Sequence, residues 1–177
     1  PNSYLDRRST TVLMTDEVFN RILNDLKSID YDNVILWSYF HEVLAHESVF
    51  ERIAKMRKAV PKAFLKIYTN GDYLNPQKIK RLEDIGLDRM RVSLYLPDGK
   101  EQDPQVIEQY LRKFEKRTKL KTIPVSRGFY ELEGVKFHGT LFTPDYYHNY
   151  ISSRAGSVKE VEKPLRVSTC LKPITHS

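Results

Sequence analysis

The sequence predicts an α/β fold in which parallel strands alternate with helices. Short apolar segments typical of strands recur near residues 35, 66, 92 and 123, and segments with helical periodicity separate them. The second strand segment ends in the strong turn formers Thr69-Asn70-Gly71. A helix between consecutive strands implies parallel pairing through right-handed crossovers. Periodicity alone is compatible with either an open sheet or a barrel.

The first helix is predicted to begin at Thr15, a good capping residue. Asp16 and Glu17 follow in the first turn, where the helix dipole favours negative charge. A single apolar stripe then follows at helical spacing: Val18, Phe19, Ile22, Leu23 and Leu26. Burying such a stripe contributes roughly 1.5 to 3 kcal/mol per large side chain, so we expect the helix to pack on a sheet or another helix.

The next two predicted units each pair a strand with a helix. A strand at 33–38 precedes a loop at 39–44 and a helix at about 47–59. A nearly continuous apolar strand at 64–68 precedes the Thr69-Asn70-Gly71-Asp72 turn, and Asn75 and Gly86 are suited to cap the two ends of the helix that follows.

The remaining predicted elements become less regular toward the carboxyl terminus. A third strand is expected at 88–96, a helix from Asp103 and Pro104, and a fourth strand at 122–126. Apolar residues then alternate with polar ones around Gly134, which predicts a hairpin at the edge of the fold. Residues 143–165 are polar and aromatic and look like an extension.

Composition favours one compact, soluble, intracellular domain with a short appendage. The chain has 177 residues, 40% of them hydrophobic, and no apolar run approaches the ~20 residues of a membrane span. Cys170 is the only cysteine, so an internal disulfide is excluded. The net charge of +6 is spread along the chain. Its densest run comprises Arg112, Lys113, Lys116, Arg117, Lys119 and Lys121, which we interpret first as a solvated helix face and second as a nucleic-acid patch.

Four polar residues follow or end the predicted strands. Glu42 comes after the first strand, Thr69 and Asn70 after the second, and Ser93 near the end of the third. If the strands are adjacent and parallel, these residues converge on one rim, the edge where ligands bind in sheets of this kind. Each could also be an ordinary loop or surface residue.

The segment His41-Glu42-Val43-Leu44-Ala45-His46 superficially resembles a zinc-protease helix. Its histidines are five residues apart, about 140° around a helix, whereas that motif needs a spacing of four and about 40°. The spacing therefore argues against a zinc site.

Several segments resemble the radical S-adenosylmethionine (radical SAM) superfamily, in the branch with a SPASM-type extension. Pro1-Asn2-Ser3 resembles the residues after that family's Cys-x3-Cys-x2-Cys loop, and 38–44 resembles its Gly-Glu-Pro loop with Glu42 at the acidic position. Segment 66–74 resembles the family's Thr-Asn-Gly turn, and 92–94 its fourth strand. Residues 153–156 and 166–173 resemble the approach to the auxiliary cluster domain. His41 and Val43 replace the usual Gly and Pro.

The resemblance implies a partial (β/α) TIM-type barrel over residues 1–128, and a hairpin with the start of a SPASM-like extension over 129–177. It implies that the parent enzyme binds SAM and a [4Fe-4S] cluster and generates a 5'-deoxyadenosyl radical. Glu42 would meet the SAM ammonium, Thr69 and Asn70 would line the neighbouring wall, and Ser93 would meet the ribose or carboxylate. Cys170 would be a ligand of an auxiliary cluster, or else an ordinary thiol.

The chain lacks the cluster cysteines and the first strand of that family, so we interpret it as a fragment that binds no cluster and is inactive by itself. We expect a cytoplasmic protein without a membrane partner, acting on an unknown peptide or small molecule. The unpaired edge of the strand at 34–37 predicts a homodimer.

Two other functions remain compatible with the residues. The chain could be a non-catalytic α/β module that binds nucleic acid or a protein partner, with nucleic acid the less favoured ligand. It could also be a complete small-molecule enzyme that uses Glu42 without a metal.

Overall fold

The computed structural model describes residues 14–38, 42–96 and 103–144. All of these belong to one compact unit, Leu13–Asn149. The helices are α1 (Asp16–Ser28), α2 (Ser48–Ala59), α3 (Pro76–Ile85) and α4 (Pro104–Thr118), with a short 3-10 helix at Val43–Ala45. The strands are β1 (Val34–Trp37), β2 (Phe64–Thr69), β3 (Arg89–Ser93), β4 (Lys121–Ser126), β5 (Phe129–Glu133) and β6 (His138–Phe142). Within the described ranges, no helix is both long and apolar enough to cross a bilayer.

The strands form one mixed sheet in the order β1-β2-β3-β6-β5-β4. The first four in that order are parallel, and β5 and β4 are antiparallel to their neighbours. The predicted α/β class is therefore confirmed. The described part of the sheet is open, with β1 and β4 at its edges, so it shows no closed barrel.

The strand at 122–126 was expected to continue the parallel series, and that prediction is wrong. It forms β4, which pairs antiparallel with β5 at the far edge of the sheet. The strand beside β3 is instead β6, which the sequence analysis did not identify. The predicted hairpin around Gly134 joins β5 to β6, and it lies within the sheet because β6 is an inner strand. The proposed domain boundary at 128/129 stays a prediction, although β5 and β6 share a sheet with β1–β3.

The helix ends follow the capping residues that the sequence indicated. The Thr15 side chain accepts a hydrogen bond from Val18 N, and Asn75 accepts one from Lys78 N. Asp103 caps α4, and Gly86 ends α3 in the left-handed conformation. The caps at Asn75 and Asp103 fix where α3 and α4 begin relative to the strands before them.

The hydrophobic core lies on one face of the sheet. Buried residues of the helices share one cluster with alternate residues of the strands, and the strand members include Leu65, Ile67, Met90, Val92 and Leu141. Right-handed crossovers between parallel neighbours place successive helices on the same side. The opposite face, which carries Lys66, Tyr68, Arg89 and Arg91, is half-buried.

We predict that the chain self-associates through β1. The other edge strand, β4, contains Pro124 and an irregular register before Ser126, both of which discourage edge pairing, whereas β1 has no proline and its Val34 is 47% exposed. Sedimentation over a range of concentrations should show dimers, and Val34→Lys should weaken them. The matched change Ile123→Lys on β4, where Ile123 is 44% exposed, should leave them intact. A monomer at all concentrations would contradict this prediction.

Candidate functional site

Four strands end at the same edge of the sheet. Because β1, β2, β3 and β6 are parallel, their carboxyl ends point one way. Thr69 pairs in register with Val92, and Ser93 pairs with Phe142. The convergence expected from the sequence is therefore present in the backbone.

The Glu42 carboxylate joins the ends of two neighbouring strands. Its Oε1 accepts a hydrogen bond from Thr69 Oγ1 at 2.5 Å, and its Oε2 accepts one from Asn70 N at 2.7 Å. Oε1 also accepts from Leu44 N at 3.1 Å, which caps the 3-10 helix. The structure thus brings three of the four predicted site residues into direct contact.

The Thr-Asn-Gly turn is fixed by its own side chains and by α4. Thr69 Oγ1 accepts a hydrogen bond from Gly71 N at 3.0 Å, and Asn70 Oδ1 accepts one from Asp72 N at 2.9 Å. Arg117 Nη2 donates to Gly71 O at 2.7 Å. Thr69 is buried, and its hydroxyl donates to Glu42 and accepts from Gly71 N, so it positions both residues rather than facing outward.

Lys78 of α3 holds the 3-10 helix that follows Glu42. Its Nζ donates to Leu44 O at 2.9 Å and lies 3.3 Å from Glu47 Oε1. Exposed Glu47 also pairs with Arg81, and hydrogen bonding to that guanidinium, opposed in part by desolvation, lowers the pKa of the Glu47 carboxyl. No role for Lys78 was predicted from the sequence, but its place in the first turn of the helix after the Thr-Asn-Gly turn is a usable signal.

The arrangement leaves the Glu42 carboxylate able to bind a cation. Each carboxylate oxygen has two acceptor positions. Oε1 uses both for Thr69 and Leu44, whereas the described contacts of Oε2 occupy one, through Asn70 N. The half-buried carboxylate can therefore accept one more donor, and an ammonium group would suit its charge.

Of the two remaining predicted site residues, the structure describes Ser93 but not Cys170. Ser93 ends β3 at the same edge, half-buried, on the strand next to Thr69. Its side chain belongs to the face of Arg89 and Arg91, since alternate residues of a strand share a face. Cys170 lies outside the described residues, so its predicted role stays a prediction.

Thr143 was missed by the sequence analysis. It directly follows β6 at this edge and is fully buried, and its backbone N donates to Gly128 O at 2.9 Å. The apolar pair Leu141-Phe142 followed by Thr143-Pro144 repeats the pattern of a strand ending in threonine seen at Thr69. That repetition was the available signal.

Much of the basic run on and after α4 is engaged within the chain. Arg112 pairs with Glu108 at 2.6 Å, Arg117 donates to Gly71 O, and Lys121 lies 3.9 Å from Glu133. Lys113 Nζ lies 5.1 Å from the centre of the Tyr110 ring. All six basic residues of this run are exposed, which agrees with the solvated helix face that was the first interpretation. Nucleic-acid binding stays a prediction.

The described residues do not fit an iron–sulfur cluster. They include no cysteine, and no three histidine, cysteine, aspartate or glutamate side chains among them are grouped to hold a metal ion. Clusters of this type are held by thiolates. No cluster site can therefore be built from this part of the chain.

Comparison with known proteins finds similarity to one dehydrogenase. The S-adenosyl-L-methionine-dependent 2-deoxy-scyllo-inosamine dehydrogenase of Niallia circulans is 26% identical over 93 residues, which cover 52% of this chain and 37% of that protein. No protein-family profile matches the sequence.

Two solved structures of BtrN are also similar in part. BtrN in an open conformation is 24% identical, with a TM-score of 0.48, over 54% of this chain and 45% of BtrN. BtrN in complex with AdoMet and 2-DOIA is 21% identical, with a TM-score of 0.48, over 62% of this chain and 44% of BtrN. The chain spans less than half the length of each of these relatives.

Proposed function

We propose that this chain forms the SAM-binding edge of a SAM-dependent oxidoreductase of the radical SAM superfamily. Two independent observations support this. The Glu42 carboxylate is held at the carboxyl ends of parallel strands by Thr69 and Asn70. The sequence is similar to a dehydrogenase that depends on S-adenosyl-L-methionine. The contact between Glu42 and the Thr-Asn-Gly turn is the observation on which the proposal rests.

Each residue at the edge has a distinct role in this proposal. Glu42 accepts a hydrogen bond from the SAM ammonium at the remaining position on Oε2. Thr69 fixes the carboxylate through Oε1, and Asn70 holds Oε2 through its backbone N–H. Ser93, on the next strand, contacts the ribose or the carboxylate of SAM. The chemistry that SAM supplies in this superfamily is hydrogen abstraction from the substrate.

The iron–sulfur cluster of the superfamily would be held by residues other than those described here. We propose that the parent protein supplies those cysteines and the remaining barrel strands, and that Cys170 belongs to an auxiliary cluster. The sequence resemblance supports both statements.

Binding of SAM by this chain tests the proposal directly. We expect SAM, at on the order of 1 mM, to shift the backbone amide NMR signals of Leu44, Asn70 and Gly71, because their N–H groups surround the site. 5'-Methylthioadenosine lacks the amino acid part of SAM, so it should shift these three signals much less at the same concentration. Absence of SAM-induced shifts at these amides, or equal shifts with both ligands, would contradict the proposal.

A further inference from the structure

The face of the sheet away from the helices carries cations from adjacent strands. Lys66 of β2 pairs in register with Arg89 of β3, and Tyr68 pairs with Arg91. Paired residues of parallel neighbours project from the same face of a sheet, so these four side chains form one surface. We call these four residues the cationic face.

This surface is separate from the hydrophobic core. Leu65, Ile67, Met90 and Val92, which alternate with these residues along β2 and β3, are fully buried against the helices. The four residues of the cationic face are instead half-buried. Each of them therefore keeps part of its surface exposed on the side of the sheet that the described helices leave uncovered.

Two cations on this face have no acidic partner among the described residues. The ion pairs of that part of the chain involve neither Lys66 nor Arg89. Arg89 Nε is also buried without any hydrogen-bond acceptor. A buried charged donor without an acceptor is costly and rare in native proteins, so its presence indicates an acceptor supplied from elsewhere.

The electrostatics around Tyr68 point the same way. Lys66 Nζ lies 4.8 Å and Arg91 Cζ 5.3 Å from the centre of the Tyr68 ring. Partial burial opposes ionisation of the hydroxyl, but hydrogen bonding and charge interactions with Lys66 and Arg91 outweigh it and lower the pKa of Tyr68. Negative charge is therefore stabilised at this position.

We propose that the cationic face binds an anionic oxygen group of the substrate, a phosphate or a carboxylate, through Lys66 and Arg89. The planar guanidinium of Arg89 can offer such a group two parallel hydrogen bonds, including the one from Nε, and Lys66 adds a compact charge from the neighbouring strand. This inference rests on the proposed function, because it treats the face as the wall of that enzyme's active site.

The proposal predicts that this protein's substrate differs in charge from that of its relative. The dehydrogenase of Niallia circulans is named for 2-deoxy-scyllo-inosamine, an amine. A protonated amine would be repelled by Lys66 and Arg89. An acidic substrate would be attracted to the same residues.

The Glu42 site and the cationic face are distinct in position. Lys66 lies three residues before Thr69 on β2, which corresponds to about 10 Å along a strand. The two sites can therefore be perturbed one at a time by substitution.

Titration of this chain with inorganic phosphate at constant ionic strength tests the proposal. We expect shifts in the NMR signals of Arg89 Nε–H and of the amides of Lys66 and Arg89, with acetate binding more weakly because it carries one charge. Lys66→Gln and Arg89→Gln should each weaken phosphate binding by about tenfold. Arg112→Gln, which removes a solvent-exposed arginine on α4, should have no effect.

Further variants keep the test independent of folding and of the proposed function. Arg89→Lys retains the charge but loses the planar fork, so a folded Arg89→Lys variant should still bind phosphate more weakly than the parent chain. Glu42→Gln should leave phosphate binding unchanged. The proposal would be overturned if phosphate shifted the signals of all basic residues, or if the Lys66 and Arg89 substitutions left phosphate binding unchanged. Displacement of phosphate by SAM would also overturn it, because it would assign these cations to the SAM carboxylate.

Discussion

Replacing Gly71 with alanine is expected to lower the free energy of unfolding by about 2 to 5 kcal/mol, through backbone strain and overpacking together. Gly71 has φ of 80°, a conformation that side chains disfavour. A Cβ there would lie 2.9 Å from Val92 Cγ1 and 3.4 Å from Phe114 Cε2, both in the core. The close approach of the turn to β3 and α4 therefore requires glycine.

Gly86→Ala provides a matched control, because it measures the cost of backbone strain without overpacking. Gly86 has nearly the same φ, 81°, but its nearest atom would be Arg57 Nε at 3.7 Å, near the end of a flexible side chain. We expect a cost of only about 1 to 2 kcal/mol there. Urea unfolding of both variants measures the difference, and equal losses would contradict the packing explanation.

The first three parallel strands could be predicted because the residues of each segment indicate a buried strand by themselves. The segments at 34–37 and 64–69 are largely apolar, and Met90 and Val92 alternate with polar residues at 89–93. A helix follows each segment, with a clear side-chain cap for α3 and α4. Such caps act within one turn of chain, so residues such as Thr15 and Asn75 can be recognised without knowing the tertiary structure.

The order of the last three strands could not be predicted from the same signals. Alternation identifies a strand but not its neighbour, and β4 and β6 both follow α4 in the chain. One contact shows how closely β6 packs on β5. A Cβ at Gly139 would lie 2.9 Å from Leu132 Cβ, so this packing depends on a residue without a side chain.

The positions of the candidate site residues were predictable, but their contacts were not. Parallel strands bring their carboxyl ends together, so Glu42 and Thr69 had to be near one another. That the carboxylate bonds both Thr69 Oγ1 and Asn70 N depends on where the 3-10 helix Val43–Ala45 lies against β2. Lys78 of α3 holds this 3-10 helix through Leu44 O, a contact between residues 34 apart in the chain.

Glu42→Gln is expected to weaken SAM binding by tenfold or more, because the ammonium would lose a charged acceptor. The amide oxygen can still accept from Leu44 N and Thr69 Oγ1, but its NH2 group would face Asn70 N, a second donor. The unsatisfied Asn70 N–H should cost about 1 to 3 kcal/mol of stability. Isothermal titration with SAM, together with urea unfolding, measures the two effects separately.

The ligand that lacks the amino acid part distinguishes a direct role of Glu42 from a structural one. 5'-Methylthioadenosine makes no contact with Glu42 in the proposed function, so Glu42→Gln should leave its affinity unchanged. Glu51→Gln removes an exposed carboxylate on α2 that pairs with Lys55, and it should alter the affinity for neither ligand. If Glu42→Gln weakened both ligands equally, Glu42 would act only by shaping the strand ends, and the assignment of its carboxylate to the SAM ammonium would be wrong.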